Sequence, residues 1–523
     1  MALGAAVLQE RFESPRQVLG DRLREGSIYR LLADEGDRLF GDEYFADLFK
    51  ASARGRPTIP ARVMATTMLL QAFEGLSDAE ACDRLEVDLR WQAAAGVACG
   101  YVAFHPTSLV GQRNRLRASA RPRRLFEDTK VAARAAGALK GRARVLDSTP
   151  LYDAVATQDT VTQLRAAIRK ILCALDNSDP VLAGRVRAVL ERDDDYATPG
   201  KPPCDWDDPM AREALVDALV HDGLAALVVL DGVELATAAR DAADLLALVA
   251  GQDVAEGDDG VFRIVRGVAK DRIISTVDPE ARHGHKSRNR RFDGYKAHVS
   301  VDPDSELIDE VVATPANAPD RDAVDDLLAD HVEDQNKPTI IGDSAYADGA
   351  TRAHLDDEGF DVIAKCPPTR NSTGGFTKDQ FDVNIDDNTV TCPADHTVTI
   401  RMSPRGGGKA SFKSHCKHCP MRDQCTPSHR GRTITIHPHE AVLQRARTEQ
   451  STPEWAANYR ADRPLVERKI SHFVRRAWGG RRARTRGLKR VRTDVDTRAA
   501  AVNLARLAVL GLAHRNGAWT LAT

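Results

Sequence analysis

The spacing of apolar residues along the chain predicts where helices give way to strands. In the first 135 residues apolar side chains recur at helical intervals, as in the stretch that Pro60 opens and Gly75 ends. Ser77 and Glu80 then form the capping-box pattern of a following helix. The N-terminal part is therefore predicted to be all-helical, and the two helices joined at Gly75 form either a helix-turn-helix motif or a plain antiparallel pair.

The helical pattern is interrupted by one short strand and then resumes. The segment RARVLDSTP is an apolar run typical of a strand, which is predicted to end at Asp147. From residue 156 to about 264 apolar residues again follow helical spacing, which core packing explains. A long helical insertion is therefore predicted after the first strand.

Alternation with a period of two residues begins near residue 290. It predicts paired strands at 295–302 and 307–313, followed by a helix at 320–333. A buried type of strand, PTIIGD, then ends in Asp343. The middle of the chain is therefore predicted to contain a sheet with helices around it.

Two segments of different character complete the chain. Residues 367–445 are rich in Gly, Pro, Thr, His and Cys, which is typical of a small irregular or β-rich module. Residues 460–515 return to a helical pattern, and Glu467 lies in their first part. These patterns predict an α/β protein with a helical N-terminal domain (1–135), a mixed-sheet core (136–155 and 265–366), a helical insertion in that core (156–264), a Cys-rich module (367–445) and a C-terminal Glu-bearing helix with the end of the core (446–523).

Composition narrows the class of protein without identifying it. The 523 residues exceed a single hydrophobic core, and 42% hydrophobic with 29% charged residues is typical of globular proteins. No stretch reaches the roughly 18 uncharged apolar residues that span a bilayer. The N-terminus lacks the basic start of a signal peptide. We therefore expect a cytoplasmic protein that does not contact membranes.

Positive charge is concentrated although the formal net charge is only −2. One basic segment spans 113–124 and a second spans 475–490. Such runs are as often solvated surface as binding sites, so their surroundings must decide between the two. The arginines that we consider as contacts to DNA phosphates are Arg113, Arg115, Arg117, Arg475, Arg476, Arg481, Arg482, Arg484 and Arg486.

Cysteines form a metal-binding pattern in the Cys-rich module. A Cys-x2-Cys pair with two further cysteines suits a tetrahedral structural Zn²⁺ site, and His415 and His418 are substitute ligands. Reduced free thiols are the alternative, and a redox pair is disfavoured because no βαβ unit frames it. The expected ligands are Cys392, Cys416, Cys419 and Cys425, whereas Cys82, Cys99, Cys173, Cys204 and Cys366 are expected to be small buried residues.

Acidic residues occupy positions that suit phosphoryl transfer. Asp147 and Asp343 follow predicted strands, and Glu467 lies on a late helix. Three carboxylates supply oxygen ligands for two Mg²⁺ or Mn²⁺ ions about 3.5 to 4 Å apart, which stabilise the attacking and leaving oxygens. Taken alone, an aspartate at the end of a strand is weak evidence, because capping aspartates are common.

The residues around these carboxylates carry a family resemblance. VLDST at Asp147, GDSAY at Asp343 and RPLVERKISHF at Glu467 occur in that order, and the chain also contains PARVMATTMLL, GLSDAEACDRLEVDLRW, FHPTSLVGQRNRL, DPEAR, GYKAHV and RGLKRVRTDVDTRAAAVNLARL. Together they resemble the DDE transposases of bacterial insertion sequences, and within them the insertion-sequence 1182-like branch. Asn503 and Leu504 match an Asn-Leu pair that recurs near the C-terminal end of these enzymes.

The resemblance implies a fold and an activity. The fold is an RNase H-like catalytic core, and the activity is metal-dependent cleavage at the ends of an insertion element followed by strand transfer into target DNA. Asp147, Asp343 and Glu467 would be the catalytic metal ligands. The implied partners are double-stranded DNA, as terminal inverted repeats and target site, and further copies of the chain in a homodimer or higher assembly.

A related group of transposases has a Tyr-x2-Arg-x3-Glu-x6-Lys signature on the glutamate helix. Arg463 matches its arginine and is implied to contact DNA. Tyr459 lies one residue too far from Arg463, and the lysine position is Val474 with Arg475 beside it. The resemblance therefore does not assign phosphate-contacting roles to Tyr459 and Arg475.

Other classes of protein remain open at this point. A DNA-binding protein derived from a transposase would have lost the chemistry, which the presence of all three carboxylates argues against. A nuclease of the same fold would cleave DNA without joining it. Only the activity itself separates these alternatives.

Overall fold

The structure is a computed structural model that describes most of the chain. Arg476, one of the arginines considered for DNA contact, lies outside the described residues. No helix in the described part is long and apolar enough to cross a bilayer. The described residues are 14–49, 58–153, 155–287, 289–371, 373–475 and 480–522.

The N-terminal part is helical, as its apolar spacing predicts. Its helices are α1 (Pro15–Leu19), α2 (Ile28–Leu39), α3 (Ala61–Glu74), α4 (Asp78–Val87), α5 (Leu89–Ala95), α6 (Thr107–Ala118) and α7 (Arg124–Ala135). Helix α3 ends at Gly75, which takes the left-handed conformation at φ 73°. Helix α4 begins with a capping box in which Ser77 and Glu80 each accept the other's backbone N–H. The predicted helix boundaries at Pro60 and Gly75 are confirmed.

A strand and a second helical region follow. Strand β1 (Ala143–Tyr152) does not end at Asp147 as predicted, because its residues keep pairing with an antiparallel neighbour up to Tyr152. The prediction of helix through residue 264 is also wrong at its end, where β2 and β3 form a hairpin. The elements of this region are α8 (Thr160–Ser178), α9 (Pro180–Arg187), α10 (Pro209–Leu230), α11 (Thr237–Gln252), β2 (Val254–Glu256) and β3 (Phe262–Ile264).

The strands of the main sheet lie between residues 282 and 364. They are β4 (Arg282–Ser287), β5 (Arg290–Val301), β6 (Ile308–Pro315), β7 (Thr339–Gly342) and β8 (Val362–Ala364), with the short helices α12 (Val324–Leu328) and α13 (Gly349–Asp357) between them. The predicted helix at 320–333 is mostly 3₁₀ turns around α12.

The remaining elements form two groups. The Cys-rich module contains β9 (Asp382–Asn384), β10 (Thr389–Thr391), β11 (Thr397–Thr399), β12 (Arg401–Met402), β13 (Gly408–Ser411), α14 (Arg422–Cys425) and β14 (Thr433–Ile436). After it come α15 (Glu440–Gln450), α16 (Pro453–Phe473), α17 (Leu488–Val509), β15 (Ala513–Arg515) and β16 (Ala518–Thr520).

The main sheet is mixed. Its strand order is β6-β5-β1-β7-β8, and β4 also pairs with β5. Strand β5 runs antiparallel to both β1 and β6, whereas β7 is parallel to β1 and β8 is parallel to β7. The parallel pairing of β1 with β7 places the carboxyl end of β7 beside the middle of β1.

Apolar side chains cover both faces of this sheet. On one face Val145, Val299 and Ile341 join a large core that also contains residues of α16 and α17. On the other face Leu146 and Ile340 pack with apolar residues of α12 and α13. Helices α8 to α11 form a separate apolar core, and so does the Cys-rich module.

Helix α17 is fixed to the sheet by one asparagine. The Asn503 side chain accepts from the backbone N–H of Ile308 at 2.8 Å and donates to the carbonyl of the same residue at 2.7 Å. Both residues are buried. Asn503 therefore satisfies both backbone polar groups of Ile308 at the start of β6, which gives the recurring Asn-Leu pair a structural reason.

Replacing Asn503 should destabilise the protein. In Asn503→Ala the N–H and carbonyl of buried Ile308 lose their partners, at about 1 to 3 kcal/mol for each group. We expect a clearly lower urea midpoint of unfolding by circular dichroism. The matched control is Asn177→Ala, because Asn177 is exposed and bonds only to its own helix at the Cys173 carbonyl. Equal midpoints for the two variants would contradict this role of Asn503.

Candidate active site

The two strand aspartates lie side by side. In the parallel pairing of β1 with β7, Val145 is opposite Ile341. Two residues further along each strand direction, Asp147 and Asp343 stand at the same level and point to the same side as Val145 and Ile341. That side is the face covered by α16 and α17.

Asp147 is held by a backbone group and by a cation. One carboxylate oxygen accepts from the Ser148 N–H at 2.7 Å, and the other pairs with Nη2 of Arg463 at 3.0 Å. Burial opposes the charge on the guanidinium, but the neighbouring Asp147 carboxylate raises the pKa of Arg463. Arg463 therefore neutralises part of the negative charge of the two aspartates.

The carboxyl group of Asp343 is perturbed by burial and by its neighbour. Burial raises its pKa above the usual range, and the charge of Asp147 adds to this effect. The N–H of Ala345, which donates to Asp343 at 2.9 Å, only partly opposes it. Neighbouring carboxylates disfavour each other's charged form, so positive charge nearby stabilises the charged pair.

Glu467 lies on the same helix as Arg463 but does not join the two aspartates. It follows Arg463 by four residues on α16, about 6 Å along the helix, and its side chain is exposed. In the part of the chain that the structure describes, no group of three His, Cys, Asp or Glu side chains is arranged to hold a metal ion. The structure thus brings Asp147, Asp343 and Arg463 together and leaves Glu467 one helical turn away.

The donor set suits a hard divalent cation. Carboxylate oxygens are the ligands that Mg²⁺ prefers, and a doubly charged ion would offset the repulsion between Asp147 and Asp343 better than one guanidinium does. Exposed side chains change rotamer readily, so Glu467 can turn towards the pair without a change in the fold. Asp147 and Asp343 therefore fit a metal ion, and Glu467 would have to turn inward to join them.

Tyr459 reaches the same site despite its irregular spacing. It precedes Arg463 by four residues, and residues four apart lie on one helix face just as residues three apart do. Tyr459 stacks on Trp455 at 5.0 Å between ring centroids, and Nζ of Lys365 lies 5.1 Å from its ring. The extra residue relative to the signature therefore does not remove this tyrosine from the site.

Both basic segments line one cleft of about 700 Å³. Its walls are the turn between α3 and α4, helix α6, the last turn of α16 and the segment after residue 480. We call it the basic cleft, and its arginines are Arg113, Arg117, Arg475, Arg482, Arg484, Arg490 and Arg498. Most of these arginines belong to the two basic segments of the sequence, and the fold brings these two segments together.

The individual arginines differ in their surroundings. Arg113 pairs with Asp78, Arg475 lies over the ring of Phe73 at 4.6 Å, and Arg484 donates to the Leu76 carbonyl. Outside the cleft, Arg115 lies over the ring of Phe49 at 5.2 Å. Among the described residues no carboxylate is within ion-pair distance of Arg117, Arg481, Arg482, Arg486 or Arg490.

The contacts of the turn between α3 and α4 bear on whether this helix pair is a helix-turn-helix motif or a plain antiparallel pair. The first turn of α4 presents Asp78 and Glu80, both acidic, and Asp78 is already bound to Arg113. In a helix-turn-helix motif the second helix is the recognition helix and its first turn contacts bases, whereas here Asp78 in that turn is bound to Arg113. These contacts favour the plain helix pair over the helix-turn-helix motif.

The cysteines of the module surround one small apolar cavity of about 20 Å³. Burial raises the pKa of the Cys425 thiol, and the nearby Cys392, Cys416 and Cys419 add to the rise. The backbone N–H of Arg432 donates to Sγ of Cys416 at 3.4 Å. Sequence spacing thus predicted which cysteines meet, although their side chains do not yet form a metal-holding arrangement.

The expectation for the remaining cysteines is only partly confirmed. Cys82 and Cys366 are buried, Cys99 and Cys204 are half-buried, and Cys173 is exposed. Cys173 lies on the solvent side of α8, whose apolar positions are filled by larger residues.

Comparison with protein families gives two matches. A family model described as Transposase domain (DUF772) matches residues 17–115, and one described as Transposase DDE domain matches residues 391–508. These two matches indicate a DDE-type transposase. The second match includes Glu467 and Arg463, whereas Asp147 and Asp343 lie outside both matched ranges. No curated protein and no solved structure matches the chain significantly.

The matched domains define the class of reaction. A DDE transposase is a polynucleotidyl transferase that acts on DNA and depends on a divalent metal ion. Paired carboxylates and a basic cleft both suit such a reaction.

Proposed function

We propose that the transposase cleaves the ends of its insertion element and joins them to target DNA at the site formed by Asp147, Asp343 and Glu467. The observation that carries this proposal is the register of β1 and β7, which puts two carboxylates side by side with Arg463 paired to one of them. Two Mg²⁺ ions bound there would activate the attacking oxygen and stabilise the leaving oxygen.

The sheet supports an RNase H-like core. Three antiparallel strands, β6, β5 and β1, continue into two parallel strands, β7 and β8. In the family that the sequence resembles, the first catalytic aspartate lies on the first core strand and the second on the fourth, which corresponds to β1 and β7. We place the core at 136–155 and 265–366, with the helical insertion 156–264 inside it and the Cys-rich module 367–445 before the glutamate helix.

The residues of the chain would divide the work of the reaction. Asp147 and Asp343 would hold the metal ions, and Glu467 would become a further ligand once its side chain turns inward. Arg463 is suited to a backbone phosphate, because its Nη1 is buried and has no hydrogen-bond partner among the described residues. When a phosphate approaches, the ion pair between Arg463 and Asp147 can break, and Asp147 is then free to bind the metal ions.

The basic cleft would carry the DNA duplex next to the carboxylates. Residues 481–483 pair with Tyr152 at the end of β1, the strand that bears Asp147. Tyr152 follows Asp147 by five residues, about 17 Å along an extended strand. His472 and Phe473 at the end of α16 also line the cleft. Strand β1, which carries Asp147, and helix α16, which carries Glu467, therefore both lead into it. DNA bound in the cleft would therefore extend to the carboxylates within a few base pairs.

The partners of the reaction follow from its chemistry. We propose terminal inverted repeats and a target site as the DNA substrates, and a homodimer or higher assembly that holds two element ends together. The insertion-sequence 1182-like branch remains the family resemblance that the motifs indicate. A derived DNA-binding protein or a nuclease would differ in the products formed, so cleavage and joining are both measured below.

Conservative amide variants test the proposed metal ligands. Asp147→Asn, Asp343→Asn and Glu467→Gln each keep the side-chain shape and remove one ligand charge, so each should lower cleavage by orders of magnitude and leave DNA binding nearly intact. The measurement is cleavage and joining of terminal-repeat DNA in Mg²⁺, with Ca²⁺ as the ion that supports binding alone. Near wild-type activity in any one variant would remove that residue from the site.

Salt dependence tests the basic cleft. Replacing Arg117, Arg482 and Arg490 by Gln should lower the slope of log affinity against log salt by about 2 to 3, because each phosphate contact contributes about 0.9. The charge-matched control is Gln at three exposed arginines of the insertion, Arg185, Arg187 and Arg240. If both triple variants have the wild-type slope, DNA does not bind in the cleft.

We also propose that the Cys-rich module binds one structural Zn²⁺ through Cys392, Cys416, Cys419 and Cys425. The support is that all four line one cavity in a module whose apolar core is small. Metal analysis of the purified protein should give about one zinc per chain. Cys416→Ser with Cys419→Ser should lose the metal, and Cys99→Ser with Cys173→Ser should retain it. Less than about half an equivalent in folded wild-type protein would contradict the assignment.

A further inference from the structure

We propose that Tyr346 is a positioning residue that holds the two metal-binding aspartates in register from the opposite face of the sheet. It would act through its hydrogen bond to His298, which lies opposite Ser148, with Asp320 and Lys296 fixing Ser148. This inference rests on the proposed function, because it concerns the same carboxylates. We call these five residues the support network.

The support network lies behind the carboxylates. In the antiparallel pairing of β1 with β5, Asp147 is opposite Val299 and Ser148 is opposite His298. Neighbouring residues of a strand point to opposite faces, so Ser148 and His298 lie on the face away from Asp147. That face is otherwise covered by the apolar residues of α12 and α13.

Tyr346 connects the turn after β7 to the two neighbouring strands. Its backbone N–H donates to the carbonyl of Asp343 at 3.3 Å, so it closes the turn that carries that aspartate. Its side chain is buried, with the hydroxyl 2.9 Å from Nδ1 of His298. One phenol thus links the Asp343 turn to β5 at His298, the residue opposite Ser148.

Asp320 and Lys296 complete the network on the other side of Ser148. Asp320 accepts from Oγ of Ser148 at 2.8 Å and from Nζ of Lys296 at 2.6 Å. Lys296 also donates to the Ala318 carbonyl at 2.7 Å. Ser148 is thereby held at its side chain, while its N–H donates to the Asp147 carboxylate at 2.7 Å.

The protonation states agree with this role. Burial raises the pKa of Tyr346 well above its usual value, so the phenol keeps its proton. Burial lowers the pKa of His298 to about 4, so at neutral pH its uncharged ring has one donor and one acceptor nitrogen. The second ring nitrogen is satisfied by Oγ1 of Thr314 at 2.9 Å. The network is therefore a fixed set of hydrogen bonds at neutral pH.

The expected consequence is on metal affinity. Mg²⁺ tolerates little deviation from octahedral geometry, so a small shift of Asp343 relative to Asp147 weakens binding. Residues that orient metal ligands typically change metal affinity by about 10- to 100-fold when they are replaced. The network belongs to this class, because it contacts Asp147 and Asp343 through backbone groups and would not contact DNA.

Binding of Mn²⁺ to the full-length protein, followed by loss of the free-ion signal in electron paramagnetic resonance, tests the proposal. Tyr346→Phe removes one hydroxyl and keeps the ring, and should weaken Mn²⁺ binding about 10-fold or more with little change in the unfolding midpoint. The matched control is Tyr196→Phe, another buried tyrosine, whose hydroxyl bonds to Asp222 in the insertion. It should bind Mn²⁺ like the wild type.

Each result has a defined meaning. Wild-type Mn²⁺ affinity in Tyr346→Phe, or an equal loss in Tyr196→Phe, would overturn the role of Tyr346. Should Tyr346→Phe not fold, Ser148→Ala replaces it under the same criterion, because it removes the hydroxyl that binds Asp320 next to Asp147. Failure of the proposed function is distinguished by the Asp147→Asn and Asp343→Asn variants: if they bind Mn²⁺ as the wild type does, the ion is not at this site at all.

Discussion

The repulsion between two neighbouring carboxylates is the constraint on which the rest of the site depends. Parallel pairing of β1 and β7 fixes Asp147 beside Asp343, and burial makes their combined negative charge costly. Arg463 offsets part of that charge from α16. A nearby cation stabilises such a pair in its charged form, so the fold favours cation binding at the place where we propose that a phosphodiester is cleaved.

The sequence predicted the parts of this arrangement that depend on local pattern. Pro60, Gly75 and Ser77 placed a helix end and a helix start correctly, because caps are local chemistry. The predicted end of β1 at Asp147 was wrong. Pairing with β5 continues the strand to Tyr152, and such pairing is long-range. Motif spacing singled out Asp147 and Asp343. Nothing in the sequence indicated the ion pair of Asp147 with Arg463 or the separation of Glu467 from the two aspartates.

Long-range packing also explains why the two basic segments line the same cleft. The segment after residue 480 pairs with the end of β1, and α6 lies across the basic cleft from it. The network of Tyr346 and His298 lies behind the same strand, and its residues occur in the motifs GDSAY and GYKAHV. One strand therefore connects the cleft, the carboxylates and their hydrogen-bonded support, although these features are far apart in the chain.

The most direct test of the account is to locate the metal ions themselves. A crystal of the transposase bound to terminal-repeat DNA and Mn²⁺ would show them in an anomalous difference map. The account predicts two peaks about 3.5 to 4 Å apart, with Asp147 and Asp343 as ligands, Glu467 turned inward and Arg463 moved from Asp147 to a phosphate. Peaks held by other residues, or an Arg463–Asp147 ion pair that persists with DNA and Mn²⁺ bound, would contradict it.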